Sequence, residues 1–433
     1  MIETIGSYSA IIAASVIVIL SFFFSEIARR TNVPSVLMLI VLGMLLRVGI
    51  DAMDLGTTEF AVTLEVLGIV GLIMIVLEAA LELKLDRDKL LPIGKALLIA
   101  LVGLLACTWV AAELLIYFVE GMTRAQAWMY ATPLSILSSA IIIPSVGGLR
   151  RDKKEFHIYE STFSDILGII LFYFLAGPFE AEATGGHAPT ALEYGGILVG
   201  TIVVAVLASY LLIVVFQQLK SHVKLFLLIA VLLLLYSVGK KFHLSSLIII
   251  LVFGLMFANI KLAFSGPLRR FLNERKVHTI YEGLHVLTLE TAFVVRTFFF
   301  VVFGLTTDPT SLLSGEVAMI SALIIASIYV IRFVLLRVFV GRDLFPQLFV
   351  APRGLITVLL FNAIPATALV PGFQPGILLF VIIGTSLIMT FAMIQDKKRA
   401  GAAIRRAEAS PVDLSIWEAP SLHVVAEAEE HAM

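Results

Sequence analysis

RRDKKEFHIYESTFSDILGIILFYFLAG, Arg150 to Gly177, passes from a basic run into an apolar stretch that carries one carboxylate, Asp165, deep inside it. Asp165 lies about ten residues into the apolar part. At ~1.5 Å of rise per residue this is ~15 Å, half of a ~30 Å hydrocarbon core. A carboxylate at that depth costs on the order of 3 kcal/mol on insertion scales, so it is seldom there without something to bind. Asp165 is the first candidate site residue, and the fold turns on whether the rest of the chain is built from similar segments.

Composition says that it is. The 433 residues are 60% hydrophobic and 15% charged, with a mean hydropathy of +1.02, which excludes a soluble multidomain protein. Thirteen stretches from 7–25 to 374–395 are long and apolar enough to cross a bilayer, some with the help of their flanks. Charge provides a check, because the cytoplasmic side holds the excess of Lys and Arg. With the N-terminus outside, Arg47, Arg124, Lys240 and Lys241 are outer, and Arg296, Arg332 and Arg353 fall within helices. The remainder of the 31 Lys and Arg residues are inner. One helix more or fewer would scramble this alternation, so the expectation is an all-α polytopic membrane protein with thirteen spans, N-terminus out and C-terminus in. Residues 1–396 form its transmembrane region. Residues 397–433 form a short polar cytoplasmic tail, expected to be disordered and too small for a nucleotide-binding domain.

Other classes find little support. The single cysteine, Cys107, excludes an intramolecular disulfide and a multi-cysteine metal site. A net charge of -1 gives no sign of a nucleic-acid partner. There is no His-Glu-x-x-His motif and no pair of intramembrane aspartates, so an intramembrane enzyme lacks its chemistry. No cleavable signal pattern precedes the first span, which is expected to be retained. No cofactor is implied.

Depth sorts the buried charges. Arg296, about twelve residues or ~18 Å from the inner end of the tenth span, is near the level of Asp165 and is its expected partner. Glu160, Glu290, Arg332 and Arg353 lie nearer the inner face, at about 7 to 12 Å from their helix ends, as a structural ion-pair belt would. Glu160 and Asp165 are five residues apart, about 140° around the helix, so they cannot share one proton or ion directly. Asp165 is read as an ion or proton site, with a purely structural pair to Arg296 as the alternative, and Glu160 as structural. Glu78 and Glu82, near the inner end of the third span, and Glu113, toward the outer end of the fourth, read as side chains that snorkel to the interface.

The fifth span, TPLSILSSAIIIPSVGGL, holds Pro133, Ser138, Ser139, Pro144, Gly147 and Gly148. Proline frees a backbone carbonyl, and serines can satisfy opened backbone or offer oxygen to a cation, although a kinked packing helix would look similar. The twelfth span, APRGLITVLLFNAIP, repeats the theme with Pro352, Gly354, Thr357, Asn362 and Pro365. The offset of seven spans is odd, so the two broken helices run in opposite directions. An inverted-topology repeat with crossed discontinuous helices has this requirement.

Glu160-Ser161-Thr162-Phe163-Ser164-Asp165 resembles the E-S-x-x-N-D motif of the monovalent cation/proton antiporters, in the sodium/proton exchanger-like branch. RTFFFVVFGL from Arg296, the late-helix Arg332, APRGLITV around Arg353 and the opening SEIARRTNVPSVLMLIVLGMLL support the resemblance, which covers residues 1 to about 396. It implies the sodium/proton antiporter fold, a homodimer with dimerisation and core subdomains, and exchange of a monovalent cation for H+ by alternating access. Asp165 would bind cation and proton in turn, as the only metal-binding carboxylate, with Ser164, Ser138 and Ser139 around it. Glu160 would be ion-paired to an arginine, and Arg296 would be the tenth-helix base near the site. Two departures matter. Ser164 stands where an Asn or Asp is usual, which favours electroneutral exchange in the family's terms, and the fifth span lacks the family's Thr-Asp-Pro. Na+ is the first expectation, with K+ or Li+ open. The location implied is a bacterial inner membrane. A potassium-efflux-type transporter or channel, or a small-anion carrier using Arg296, is the alternative on the same fold.

Overall fold

The computed structural model describes residues 12, 15–24, 26–27, 35–52, 60–85, 89–183, 191–219, 224–241, 246–264, 273–306 and 314–409. In chain order the helices are α1 (Ser15–Phe24), α2 (Ser35–Ala52), α3 (Phe60–Glu82), α4 (Leu90–Phe118), α5 (Arg124–Ser135), α6 (Ser139–Ser145), α7 (Arg151–Ala183) and α8 (Ala191–Phe216). They continue as α9 (Lys224–Lys241), α10 (Ser246–Ala258), the single turn α11 (Ile260–Ala263), α12 (Glu274–Thr306), α13 (Gly315–Phe339), α14 (Leu355–Asn362) and α15 (Gly376–Ala409). With α5 and α6 as two halves of one crossing, and α11 set aside as a turn, the described helices give the thirteen spans expected.

Length and composition explain the elements. The 29 residues of α4 reach ~44 Å, enough to cross a ~30 Å core at a tilt. Its outward face exposes Leu98, Leu101, Val102 and Leu105, as a lipid-facing helix does. α15 does not stop at the boundary expected near residue 396. It runs through Ala409, because KKRAGAAIRRAEA is rich in the residues that favour helix most. Residues 410–433 lie outside the described residues.

The helices sort into two bundles. α2 and α3 pack on α12, and α10 packs on α3, α8 and α9. In the second bundle α4 packs on α5, α7 and α13, α5 on α7 and α14, and α13 on α15. This bundle holds spans four to six and eleven to thirteen, the two repeats seven spans apart. The bundles meet where α3 touches α7 and α14. In the first bundle α2 and α12 cross at Gly43 and Gly304, where a Cβ on Gly43 would collide with the Val301 carbonyl oxygen and lie 2.8 Å from the Gly304 Cα. Two glycines let these backbones touch.

Candidate functional site

The site is a crossing of two unwound segments. A capping box starts α5, in which the Gln126 N–H donates to the Thr123 hydroxyl at 3.3 Å and the Thr123 N–H donates to the Gln126 side chain at 2.9 Å. After Ser135 the chain is extended at Ile136 (φ -74°, ψ 132°) and Ser138 (φ -94°, ψ 102°), then re-enters helix as α6. Buried backbone donors need partners, and three consecutive ones here find theirs on other elements. The Leu137 N–H donates to the Ser164 Oγ (3.0 Å), that of Ser138 to the Pro352 carbonyl (3.0 Å) and that of Ser139 to the Asp165 Oδ2 (3.3 Å).

The opposing segment is held as tightly. The Arg353 N–H donates to the Thr385 Oγ1 (3.0 Å), and the Gly354 N–H to the Thr357 Oγ1 (3.3 Å). The Arg353 guanidinium is 1% exposed and donates to the carbonyls of Leu134 and Ala351, both at 2.9 Å. It thus sits on the carbonyl end of α5, where a cation is favoured. The two segments come close at Gly354: a Cβ there would lie 2.6 Å from the Ser138 Oγ and 2.7 Å from the Ile141 Cδ1, so those side chains would have to shift.

Asp165 is 1% exposed. Its Oδ2 takes the Ser139 amide, and the Ser139 hydroxyl faces the same carboxylate. Its Oδ1 has no hydrogen-bond partner, and neither has the Ser138 Oγ. Two buried oxygens with open lone pairs at one crossing suit a cation or a proton, since an unsatisfied buried polar atom costs ~1–3 kcal/mol. Ser164 is placed differently. Its hydroxyl tethers Leu137 and lines, with Glu160, Arg332 and Arg353, a cavity of about 30 Å³, about the volume of one water.

Of the expected inner belt, one pair forms. The Arg332 guanidinium grips Glu160 with two hydrogen bonds of 2.7 and 2.9 Å and also donates to the Gln347 carbonyl at 3.2 Å. His157, fully buried, adds a contact from Nδ1 to Glu160 at 3.3 Å. Arg353 is not part of an ion pair, because backbone carbonyls satisfy it. Glu290 is exposed on α12, away from this cluster.

Arg296 is not the partner of Asp165. Its Nη2 donates to the Glu78 Oε2 at 2.6 Å, both side chains being mostly buried. The Arg296–Glu78 pair lies in the bundle of α3 and α12, across from Asp165, which feels the charges of Glu78 and of Glu82. Glu78 therefore does not snorkel, whereas Glu113 is half-exposed, 3.5 Å from Arg124. Glu78 and His157 are the two site-proximal residues that sequence reasoning missed. The signal for Glu78 was its position a full turn inside Glu82, on the face that must bury. For His157 it was the i,i+3 spacing to Glu160. Among the described residues no group of three His, Cys, Asp or Glu side chains could hold a metal ion.

The model of the family described as sodium/hydrogen exchanger, transmembrane, matches residues 14–395. In overall structure the chain is similar to the sodium proton antiporter MjNhaP1 from Methanocaldococcus jannaschii at pH 8, with a TM-score of 0.65 and 18% identity over 90% of this chain and 98% of that one. It is similar also to the structure from an electron-microscopy map of that antiporter, with a TM-score of 0.62 and 18% identity over 95% and 99%. At this identity the likeness concerns the fold. No match was found among curated proteins. With nearly the whole membrane region matched, the chain belongs to the sodium/hydrogen exchanger family, as a multi-pass transporter and not an enzyme.

Proposed function

We propose that this transporter exchanges Na+ for H+, one for one, by competition at Asp165. The observation that carries this reading is the open, buried Oδ1 of Asp165, whose Oδ2 is tied at 3.3 Å to the Ser139 amide of the unwound segment that also holds the open Ser138 Oγ. Only the ionised carboxylate can coordinate a cation, so bound proton and bound cation exclude each other. Ser138 and Ser139 would add neutral oxygen, and Ser164 would hold the unwound segment in place. Glu160, Arg332 and Arg353 brace the crossing from behind. Carriage of an anion finds less support, because Arg296 is paired with Glu78 and the Arg353 donors are taken up by the Leu134 and Ala351 carbonyls.

Alternating access would come from the second bundle moving against the first. An empty, ionised Asp165 is costly to carry through the low-dielectric layer and a neutralised one less so, and that difference couples the fluxes. In this reading the first bundle is the dimerisation half of a homodimer. The Lys and Arg asymmetry supports a cytoplasmic face at Arg150, Arg151 and Lys84, and the membrane proposed is a bacterial inner membrane.

Proton flux from vesicles challenged with Na+, Li+, K+ and choline tests the proposal. Na+ and Li+ should drive proton release and choline should not. Below the site's pKa the apparent KM for Na+ should rise about tenfold per pH unit, the limiting slope for one competing proton. Asp165→Asn keeps the shape and cannot cycle a proton, so its flux should vanish at every pH while the protein folds as before. Cation-driven proton flux in Asp165→Asn would overturn the assignment.

A further inference from the structure

Where the ends of α3 and α10 meet the start of α12, a cavity of about 780 Å³ opens, lined by Lys84, Lys261, Arg275, His278 and Thr279 over an apolar floor that includes Phe257. Its size falls within the ~300–1,000 Å³ range of small-molecule sites. The wall is built rather than incidental. Asn259 stitches the turn after α3 to α10, accepting from the Leu85 N–H at 2.6 Å and donating to the Leu83 and Leu255 carbonyls at 2.8 and 2.9 Å. Tyr281 donates to the Leu81 carbonyl at 2.9 Å, and its ring carries the Lys84 ammonium at 5.3 Å.

Charge sets this cavity apart. Several cations elsewhere on the same face are matched: Lys89 and Arg151 with Glu155, Arg150 with Asp152, and Lys153 with Asp343. Among the described residues no carboxylate lines the cavity. Among the described residues Glu282 contacts the lining, 3.3 Å from the His278 Nδ1, on the exposed side of α12. Three like charges around one hollow repel each other and favour an anion between them. In sequence, RRFLNERK (269–276) holds three basic residues besides Arg275 and one acid.

We propose that this cavity binds a phosphate-bearing anion, with Arg275 as the planar, forked donor, Lys84 and Lys261 as point charges and the apolar floor under the rest of the ligand. The chemistry is shared by an anionic phospholipid headgroup and by a free phosphate compound. The ligand would tie α3 to α12, the two helices that carry Glu78 and Arg296. This proposal does not depend on which cation is carried.

The test is thermal stability of the purified full chain in detergent with phosphatidylglycerol, phosphatidylcholine or inorganic phosphate added, for the parent, Lys261→Gln/Arg275→Gln and the charge-matched control Lys397→Gln/Lys398→Gln. Phosphatidylglycerol should raise the parent's melting temperature where phosphatidylcholine does not. The Lys261→Gln/Arg275→Gln protein should need about tenfold more of it, and the control should behave as the parent. A response to inorganic phosphate, lost in the same variant, assigns a free phosphate compound instead of the lipid. Equal responses in parent and cavity variant, or no response to either phosphate source, overturn the proposal. Cation-driven proton flux by the cavity variant in phosphatidylcholine vesicles checks that it is folded. If it fails to fold, Lys261→Gln alone serves, with a smaller loss expected.

Discussion

At the scale of single residues, each buried charge was legible in proportion to how far its partner could be inferred from depth along one helix. Glu160 and Arg332 stand at one level and do meet, through two short hydrogen bonds. Arg296 and Asp165 stand at similar counted depths and do not, because α12 begins at Glu274, well before its apolar part, and because lateral packing selects Glu78 from α3. Depth is a one-dimensional quantity, and partner choice is three-dimensional. The Glu160–Arg332 pair yields a prediction of its own. Glu160→Ala leaves a 7% exposed guanidinium with only the Gln347 carbonyl, and should destabilise by about 3 to 5 kcal/mol, the range for breaking a buried pair from one side. Arg332→Ala should do the same, and Glu160→Gln/Arg332→Met, which removes both charges, should recover much of the loss. Thermal unfolding of the three variants decides it, and a Glu160→Ala protein that melts with the parent would place Glu160 outside the structural set.

At the scale of elements, the apolar spans and the two broken helices could be read from composition, proline and glycine. What could not be read is the handing of three successive amides, Leu137, Ser138 and Ser139, to α7, to the segment before α14 and to α7 again. The partners, Ser164 and Asp165 on α7 and the Pro352 carbonyl, lie far from the fifth span in sequence, and no periodicity within that span encodes them. The crossing is also a tight contact, and its tightness is testable. Gly354→Ala inserts a methyl where the Ser138 Oγ and Ile141 would be under 3 Å away. Overpacking of this kind costs about 1 to 3 kcal/mol, and here the strain falls on the amides that set Ser138 and Asp165. Gly147→Ala, at the end of the same span with open space around it, is the matched control. The expected result is a lowered melting temperature and a larger loss of proton flux for Gly354→Ala, with the control close to the parent. Unchanged flux in Gly354→Ala would mean that the crossing tolerates separation and does not set the site.

At the scale of the whole molecule, the division of charges between the bundles bears on stoichiometry. Asp165, Glu160, Arg332 and Arg353 belong to one bundle, while Glu78 and Arg296 form an ion pair in the other. Of the charges that would move together, Glu160 is held by Arg332, and Arg353 is capped by backbone carbonyls. In the proposed mechanism Asp165 is the one group that changes state, and its Na+ form and H+ form would carry the same net charge. The outward and return steps therefore cancel, and exchange is expected to be electroneutral. Moving one net charge through 100 mV is worth about 2.3 kcal/mol, so an unbalanced cycle would show a clear voltage dependence. Vesicles clamped with valinomycin at two potentials provide the measurement. The cation and proton gradients at balance should be equal at both. If the balance point shifts with potential, a second group changes its protonation during the cycle, and Glu82 and Glu78, whose charges Asp165 feels across the bundle interface, would be the first to substitute.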